Sequence, residues 1–248
     1  MSREARPTAR NKRKADQRRD HGPLLKLVQE EITRKPVRAA RAELKPLTAA
    51  QAAYRVAILS SRVTFGIGPA GTGKTWFAAA LAADQLEARE IERIIVTRPA
   101  VEAGEEKLGF MPGDLNEKYE PYFRPVRDAL EERLGSGQVE YMMKAGMIEA
   151  RPLAFLRGAT LKNCWVVADE MQNATATQMK MFLTRIGENS RFIVNGDITQ
   201  KDIQGVSGLT DAVRRLREVP QVSLIEFHNC DIVRDPMCQA IALAYETN

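Results

Sequence analysis

From about residue 48 onward, short apolar runs alternate with longer segments whose apolar positions recur at helical spacing. The runs at 63–68, 93–97, 163–169, 191–195 and 222–227 are rich in Val, Ile and Phe and read as buried strands. Helical periodicity predicts helices over 48–60, 74–88, 117–134, 175–187, 208–217 and 235–246. Strand and helix in regular alternation imply an α/β domain, a mostly parallel sheet with helices on both faces. Ligands of such sheets gather at the carboxyl ends of the strands. Each predicted strand ends there in a polar or unhindered group: Gly68, Arg98, Asp169-Glu170, Gly196-Asp197 and His228.

Charge divides the chain differently. Residues 1–45 hold 14 Lys and Arg against 6 Asp and Glu, a balance of +8, which leaves −3 of the net +5 for residues 46–248. Residues 1–22, with Arg10, Lys12, Arg13, Lys14, Arg18 and Arg19, have too little apolar content to build a core and predict a disordered basic arm. Such an arm attracts nucleic acid phosphates without regard to sequence, the alternative being a solubilising tail. A short helix and linker are expected over 23–47, and one domain over 48–248. No uncharged run approaches the roughly 20 residues of a membrane span, and the N-terminus lacks an apolar signal segment, so the expectation is a cytoplasmic protein. The three cysteines, Cys164, Cys230 and Cys238, read as reduced thiols, and their spacing with His228 fits no common zinc pattern.

The chemistry begins where the first strand ends. Gly68-Pro69-Ala70-Gly71-Thr72-Gly73-Lys74-Thr75 has the spacing G-x-x-x-x-G-K-T, a loop whose glycines let backbone N–H groups turn toward a nucleotide's phosphates. The helix behind it adds its positive dipole end. Lys74 is placed to bridge the β- and γ-phosphates, and the Thr75 hydroxyl to complete a Mg²⁺ shell. The strand Cys164-Trp165-Val166-Val167-Ala168 ends in Asp169 and Glu170, the form of a Walker B element. Asp169 suits Mg²⁺, which keeps much of its water and favours one or two carboxylates, and Glu170 suits the polarisation of an attacking water. A third strand end, Asn195-Gly196-Asp197-Ile198-Thr199-Gln200, puts Asp197 where it could orient Gln200 toward the γ-phosphate.

These stretches, with Thr97-Arg98-Pro99-Ala100-Val101-Glu102-Ala103-Gly104-Glu105, Asp169-Glu170-Met171-Gln172-Asn173 and Asp231-Ile232-Val233-Arg234-Asp235-Pro236, resemble the PhoH family of P-loop ATPases from about Gln51 to Tyr245. The resemblance implies a RecA-like core similar to the first motor domain of superfamily 1 helicases, using ATP and Mg²⁺. By that analogy Gln51 reads the adenine edge and Gln172 links the Walker B strand to the γ-phosphate. Trp76, directly after the loop, joins the nucleotide-binding residues. Arg234 matches an arginine that neutralises charge during phosphoryl transfer, so the catalytic set is Lys74, Glu170, Gln200 and Arg234. Asn195 departs from the family, standing where a Thr is usual, as do Ala159 and Asp235 at their positions.

The segment from about 100 to 160 is too long for a simple crossover and predicts a helical insertion. Its Tyr119, Tyr122, Phe123 and Arg124 could stack unpaired bases or could pack a helix onto the sheet. Arg98 and Lys107 are its better phosphate candidates. One RecA-like core offers one of the two surfaces that close on ATP, so a homo-oligomer is expected, a ring of six being favoured, with Arg214, Arg215 or Arg217 as a finger in trans. The function implied is Mg²⁺-dependent ATP hydrolysis coupled to single-stranded nucleic acid, RNA rather than DNA, as a helicase or remodelling motor. The alternatives are a slow ATP-dependent switch and an ATPase accessory of a ribonuclease.

Overall fold

The computed structural model describes residues 43–99, 115–200, 202, 205–233 and 237, with backbone alone for 115–122. Residues from Leu44 onward form one compact unit. Its centre is a six-stranded parallel sheet: β1 (Val63–Ile67), β2 (Arg93–Thr97), β3 (Ile148–Ala150), β4 (Cys164–Ala168), β5 (Arg191–Gly196) and β6 (Val222–Glu226). The strand order is β3-β2-β4-β5-β1-β6, which is the α/β P-loop core expected. Walker A therefore leaves β1 and Walker B leaves β4, with β5 paired to both between them.

Helices α1 (Ala49–Ser60), α2 (Lys74–Glu87), α3 (Leu115–Leu134) and α4 (Ser136–Lys144) cover one face. Tyr54, Phe77, Phe123, Val139 and Trp165 meet there in a single buried cluster. Helices α5 (Ala176–Leu183) and α6 (Gly208–Leu216) cover the other face, where Phe182 stacks on Phe192 with ring centres 4.8 Å apart. Every residue of β1 and of β4 is buried, as a central parallel strand covered on both faces requires. Arg133 of α3 clasps Asp84 of α2 through three hydrogen bonds of 2.6–3.0 Å, fixing the one helix on the other.

The five expected strands are present, and a sixth stands beside them. β3 is three residues long and contains Glu149, too little for a pattern, and it makes the Walker B strand the fourth rather than the third. The insertion resolves into α3, α4 and β3 over its described part. Phe123 lies fully buried between helix and sheet, so the packing reading holds for it, whereas Arg124 is exposed. The helix expected over 175–187 stops at Leu183, because the Thr184 hydroxyl takes the Lys180 carbonyl and Leu161 bridges to Ile186 beyond it. The arm, nearly all of the linker, Lys107 and most of the last predicted helix lie outside the described residues. Among the described residues no helix is long and apolar enough to cross a membrane. Cys164 and Cys230 are free thiols, and burial raises the Cys164 thiol to about 11.

One buried polar contact joins α1 to the sheet. The Tyr54 hydroxyl donates to Asn195 Oδ1 at 2.5 Å, with Tyr54 wholly buried, and burial pushes its phenol far above the usual range. Removing the hydroxyl leaves the buried Asn195 amide without that partner, so Tyr54→Phe is expected to cost about 1–3 kcal/mol, read from the urea midpoint of unfolding.

Candidate nucleotide site

The P-loop begins at Gly68, directly after β1, where there is no space for a side chain. A Cβ on Gly68 would collide with the Phe227 carbonyl, and the Gly68 N–H donates to Gly196 O across to β5. Gly71 and Gly73 adopt φ of 84° and 78°, the left-handed conformation that glycine enters at no steric cost. Gly73 is also the N-cap of α2, which is why Lys74 and Thr75 emerge from the first turn of a helix pointed at the loop.

Lys74 is buried, and its ammonium donates to Gly68 O and Pro69 O at 2.7 Å and to Thr72 Oγ1 at 3.1 Å. The loop thus holds its own cation over the concavity. Thr75 Oγ1 donates to Asp169 Oδ1 at 2.6 Å, so the two expected metal ligands are in contact. Burial raises the Asp169 carboxyl above its ordinary value, and the Thr75 hydrogen bond opposes that shift. A hydroxyl and a carboxylate side by side are the hard oxygen donors that suit Mg²⁺.

Glu170 has φ 52° and ψ 35°, a left-handed conformation that a residue with a side chain adopts only when its surroundings enforce it. Its Oε2 accepts from Gln172 Nε2 at 2.5 Å, and its Oε1 lies 3.9 Å from Arg98 Nη2 at the end of β2. Gln172 is 2% exposed and reaches in both directions, since its Oε1 accepts the Asp197 N–H at 3.1 Å. Asn173 and Asp202 exchange hydrogen bonds of 2.8 and 2.9 Å, and Ser207 Oγ donates to Gln172 O. The turn after Walker B is in this way stitched to the loop after β5.

Three expectations are modified by these contacts. Asp197 does not orient Gln200 through its carboxylate: its Oδ1 takes the Thr199 N–H and hydroxyl, while Gln200 is held by its N–H to Asp197 O. The Gln200 side chain nonetheless lines the cleft of about 370 Å³ that contains Ala70, Gly71, Lys74, Thr75 and Glu170. Gln51 is buried against the P-loop, its Nε2 donating to Thr72 O and its Oε1 accepting from Leu47 N, so its amide grips the loop from behind. Arg98 lines the same cleft beside Glu170 rather than belonging to a separate substrate loop. Trp76 lines it too, with its indole N–H on Glu132. Arg234 lies outside the described residues, but Val233 donates to Gly71 O at 2.9 Å, which brings that strand of chain to the loop. Arg214 and Arg215 are both paired with Asp211 on their own helix.

Sequence reasoning did not anticipate the double reach of Gln172, the Arg98–Glu170 contact or the Tyr54–Asn195 bond. Each joins residues far apart in the chain or depends on a side-chain direction that no spacing reveals.

A family model for PhoH-like proteins matches residues 43–246. This chain belongs to the PhoH family. It is 50% identical over 200 residues to the PhoH protein of Escherichia coli, covering 79% of this chain and 56% of that protein. It is 46% identical over 222 residues to a PhoH-like protein of Bacillus subtilis, covering 89% and 68%. A PhoH-like protein of Synechocystis is 50% identical over 198 residues, covering 79% and 60%. The chain thus spans little more than half the length of some of these relatives. The UvsW helicase of a bacteriophage superposes with a TM-score of 0.42 at 14% identity, over 82% of this chain and 67% of that one, a likeness too slight to argue from.

Within the family's nucleotide-binding frame, the Gln172 bridge makes a specific prediction. Gln172→Leu keeps the P-loop intact but releases Glu170, so nucleotide affinity is expected to stay within a few fold while turnover falls roughly 10–100-fold, the usual effect of losing an outer partner. Titration with a fluorescent nucleotide and a phosphate-release assay separate the two.

Proposed function

We propose that this protein hydrolyses ATP with Mg²⁺ and couples the reaction to single-stranded nucleic acid, RNA in preference to DNA. The observation that carries the hydrolytic half is the shared cleft in which Lys74, Thr75, Asp169, Glu170 and Gln200 converge. Backbone N–H groups of the loop and the Lys74 ammonium hold the β- and γ-phosphates. The cation held by Thr75 and Asp169 would neutralise charge between the phosphates. Glu170, fixed from both sides by Gln172 and Arg98, accepts a hydrogen bond from the attacking water and orients it in line with the leaving oxygen. The strained backbone at Glu170 commits its carboxylate to that position before substrate arrives.

Arg98 supplies a cation in the same subunit, lining the cleft with Lys74. A catalytic arginine near Val233, or one from a neighbouring copy, would add to it. The adenine contact assigned to Gln51 belongs to the same proposal, since its amide has one further N–H to offer. Coupling to nucleic acid rests on family membership and on the excess of basic residues in 1–45. A homo-oligomer, with a ring of six as the favoured form, completes the reading.

Steady-state hydrolysis measured with and without single-stranded RNA and DNA tests both halves. Glu170→Gln keeps the shape of the site and is expected to lower turnover about 10²–10⁴-fold with nucleotide binding retained. Stimulation by RNA above that by DNA supports the coupled motor. Hydrolysis that depends on Glu170 but ignores both polymers would move the assignment to the ATP-dependent switch or the ribonuclease accessory.

A further inference from the structure

A second, larger cleft of about 770 Å³ opens on the other side of the Asp197–Gln200 turn, between the ends of β1 and β6 and the first turns of α6. Its walls are apolar where Ile67, Ile198, Val213 and Phe227 contribute, and Ile198 is 47% exposed. Its polar lining residues include Asp197, Thr199, Gln200, Thr210, Glu226, His228 and Asn229. Asp197 is 6% exposed; one of its carboxylate oxygens is satisfied by Thr199, and the other, Oδ2, is buried without a hydrogen-bond partner. A buried carboxylate oxygen left unpaired is costly, and a ligand that brings a donor removes the cost.

The lining selects the ligand's chemistry. Asp197 and Glu226 are among the lining residues, and no Lys or Arg lines the cleft among the described residues. Apolar walls with acceptors and donors at the floor suit a flat heterocycle, and the volume lies within the range of small-molecule sites. Carboxylates accept well from the amino group of a base. We propose that this cleft takes an unpaired nucleobase bearing an exocyclic amino group, inserted from a single strand whose phosphates remain outside, with Asp197 accepting from the amino group. The inference rests on the nucleic acid reading above and adds to it a place and a base preference. It also supplies a connection, because the Asp197 N–H is bonded to Gln172 and Gln172 to Glu170.

Short fluorescent homo-oligomers of C, A and U, titrated against the full chain, provide the test. Oligo-C and oligo-A are expected to bind about tenfold more tightly than oligo-U, which has no amino donor. Asp197→Ala, which removes the acceptor, should erase that preference, and Glu226→Ala, at an exposed position, should reduce it without risk to the core. Equal binding of all three oligomers, or a preference that survives both substitutions, overturns the inference and leaves the nucleic acid reading standing. No binding of any oligomer overturns both. A short arginine peptide that binds the wild type but not Asp197→Ala, while the oligomers bind alike, reassigns the cleft to a basic protein segment.

Discussion

Positions 66 and 68, at the end of β1 and just after it, have no room for a side chain, and the arrangement of the site follows from that restriction. A Cβ on Gly66 would lie 2.8 Å from Asn195 Oδ1 and 2.9 Å from the Tyr54 ring, and one on Gly68 would strike the Phe227 backbone. Three elements therefore close on these two glycines: α1 through Tyr54, β5 through Asn195 and, just beyond β6, the chain at Phe227. Because they approach so closely, β5 and β6 can bond to the strand exactly where it turns into the P-loop, Gly68 N–H to Gly196 O and Phe227 N–H to Ile67 O. The loop is thus anchored at its entry by neighbouring strands and at its exit by the first turn of α2. An anchored loop keeps its N–H groups aimed without rearranging when charge arrives, and a polar site gains strength from that kind of preorganisation.

The same economy governs the acids. Glu170 pays a conformational penalty at its backbone, and the penalty is sustained by contacts its side chain and neighbours make: Gln172, the adjacent Arg98, and the turn of Met171–Asn173 pinned to Asp202 and Ser207. Asn195 fits this picture as well. Where its relatives are expected to carry Thr, this chain carries an amide long enough to meet the Tyr54 hydroxyl, and the glycine at 66 leaves the space for it.

The central strands and the phosphate loop were legible because their signals are local. A run of buried β-branched residues, a Gly-rich octapeptide and an apolar strand ending in Asp-Glu each declare themselves within ten positions or fewer. β3 and α4 escaped detection for the opposite reason: three residues including Glu149, and nine residues with only Val139 and Met142 buried, draw their structure from packing against β2 and α3. Side-chain partnerships were the hardest to read. Asp197 is three positions from Gln200 and two from Thr199, and spacing alone could not tell that the threonine would take the carboxylate. Gln51 was assigned to the adenine edge by analogy, and the contacts that occupy its amide, to Leu47 and Thr72, are ones no pattern connects.

The two clefts share the turn Asp197–Gln200, and Gln172 holds that turn and Glu170 with the two ends of one amide. An amide cannot slide along one hydrogen bond without straining the other. Occupation of either cleft that shifts this turn must therefore change the free energy of the other by the same amount, since coupling between two binding sites is reciprocal. Nucleotide would then tune affinity in the second cleft as strongly as a ligand there tunes nucleotide affinity. The symmetry applies to binding free energies and need not extend to a rate. A chain of two hydrogen bonds is short enough that this coupling requires no movement of the sheet, and the buried rows of β1, β4 and β5 give it a rigid frame against which to act.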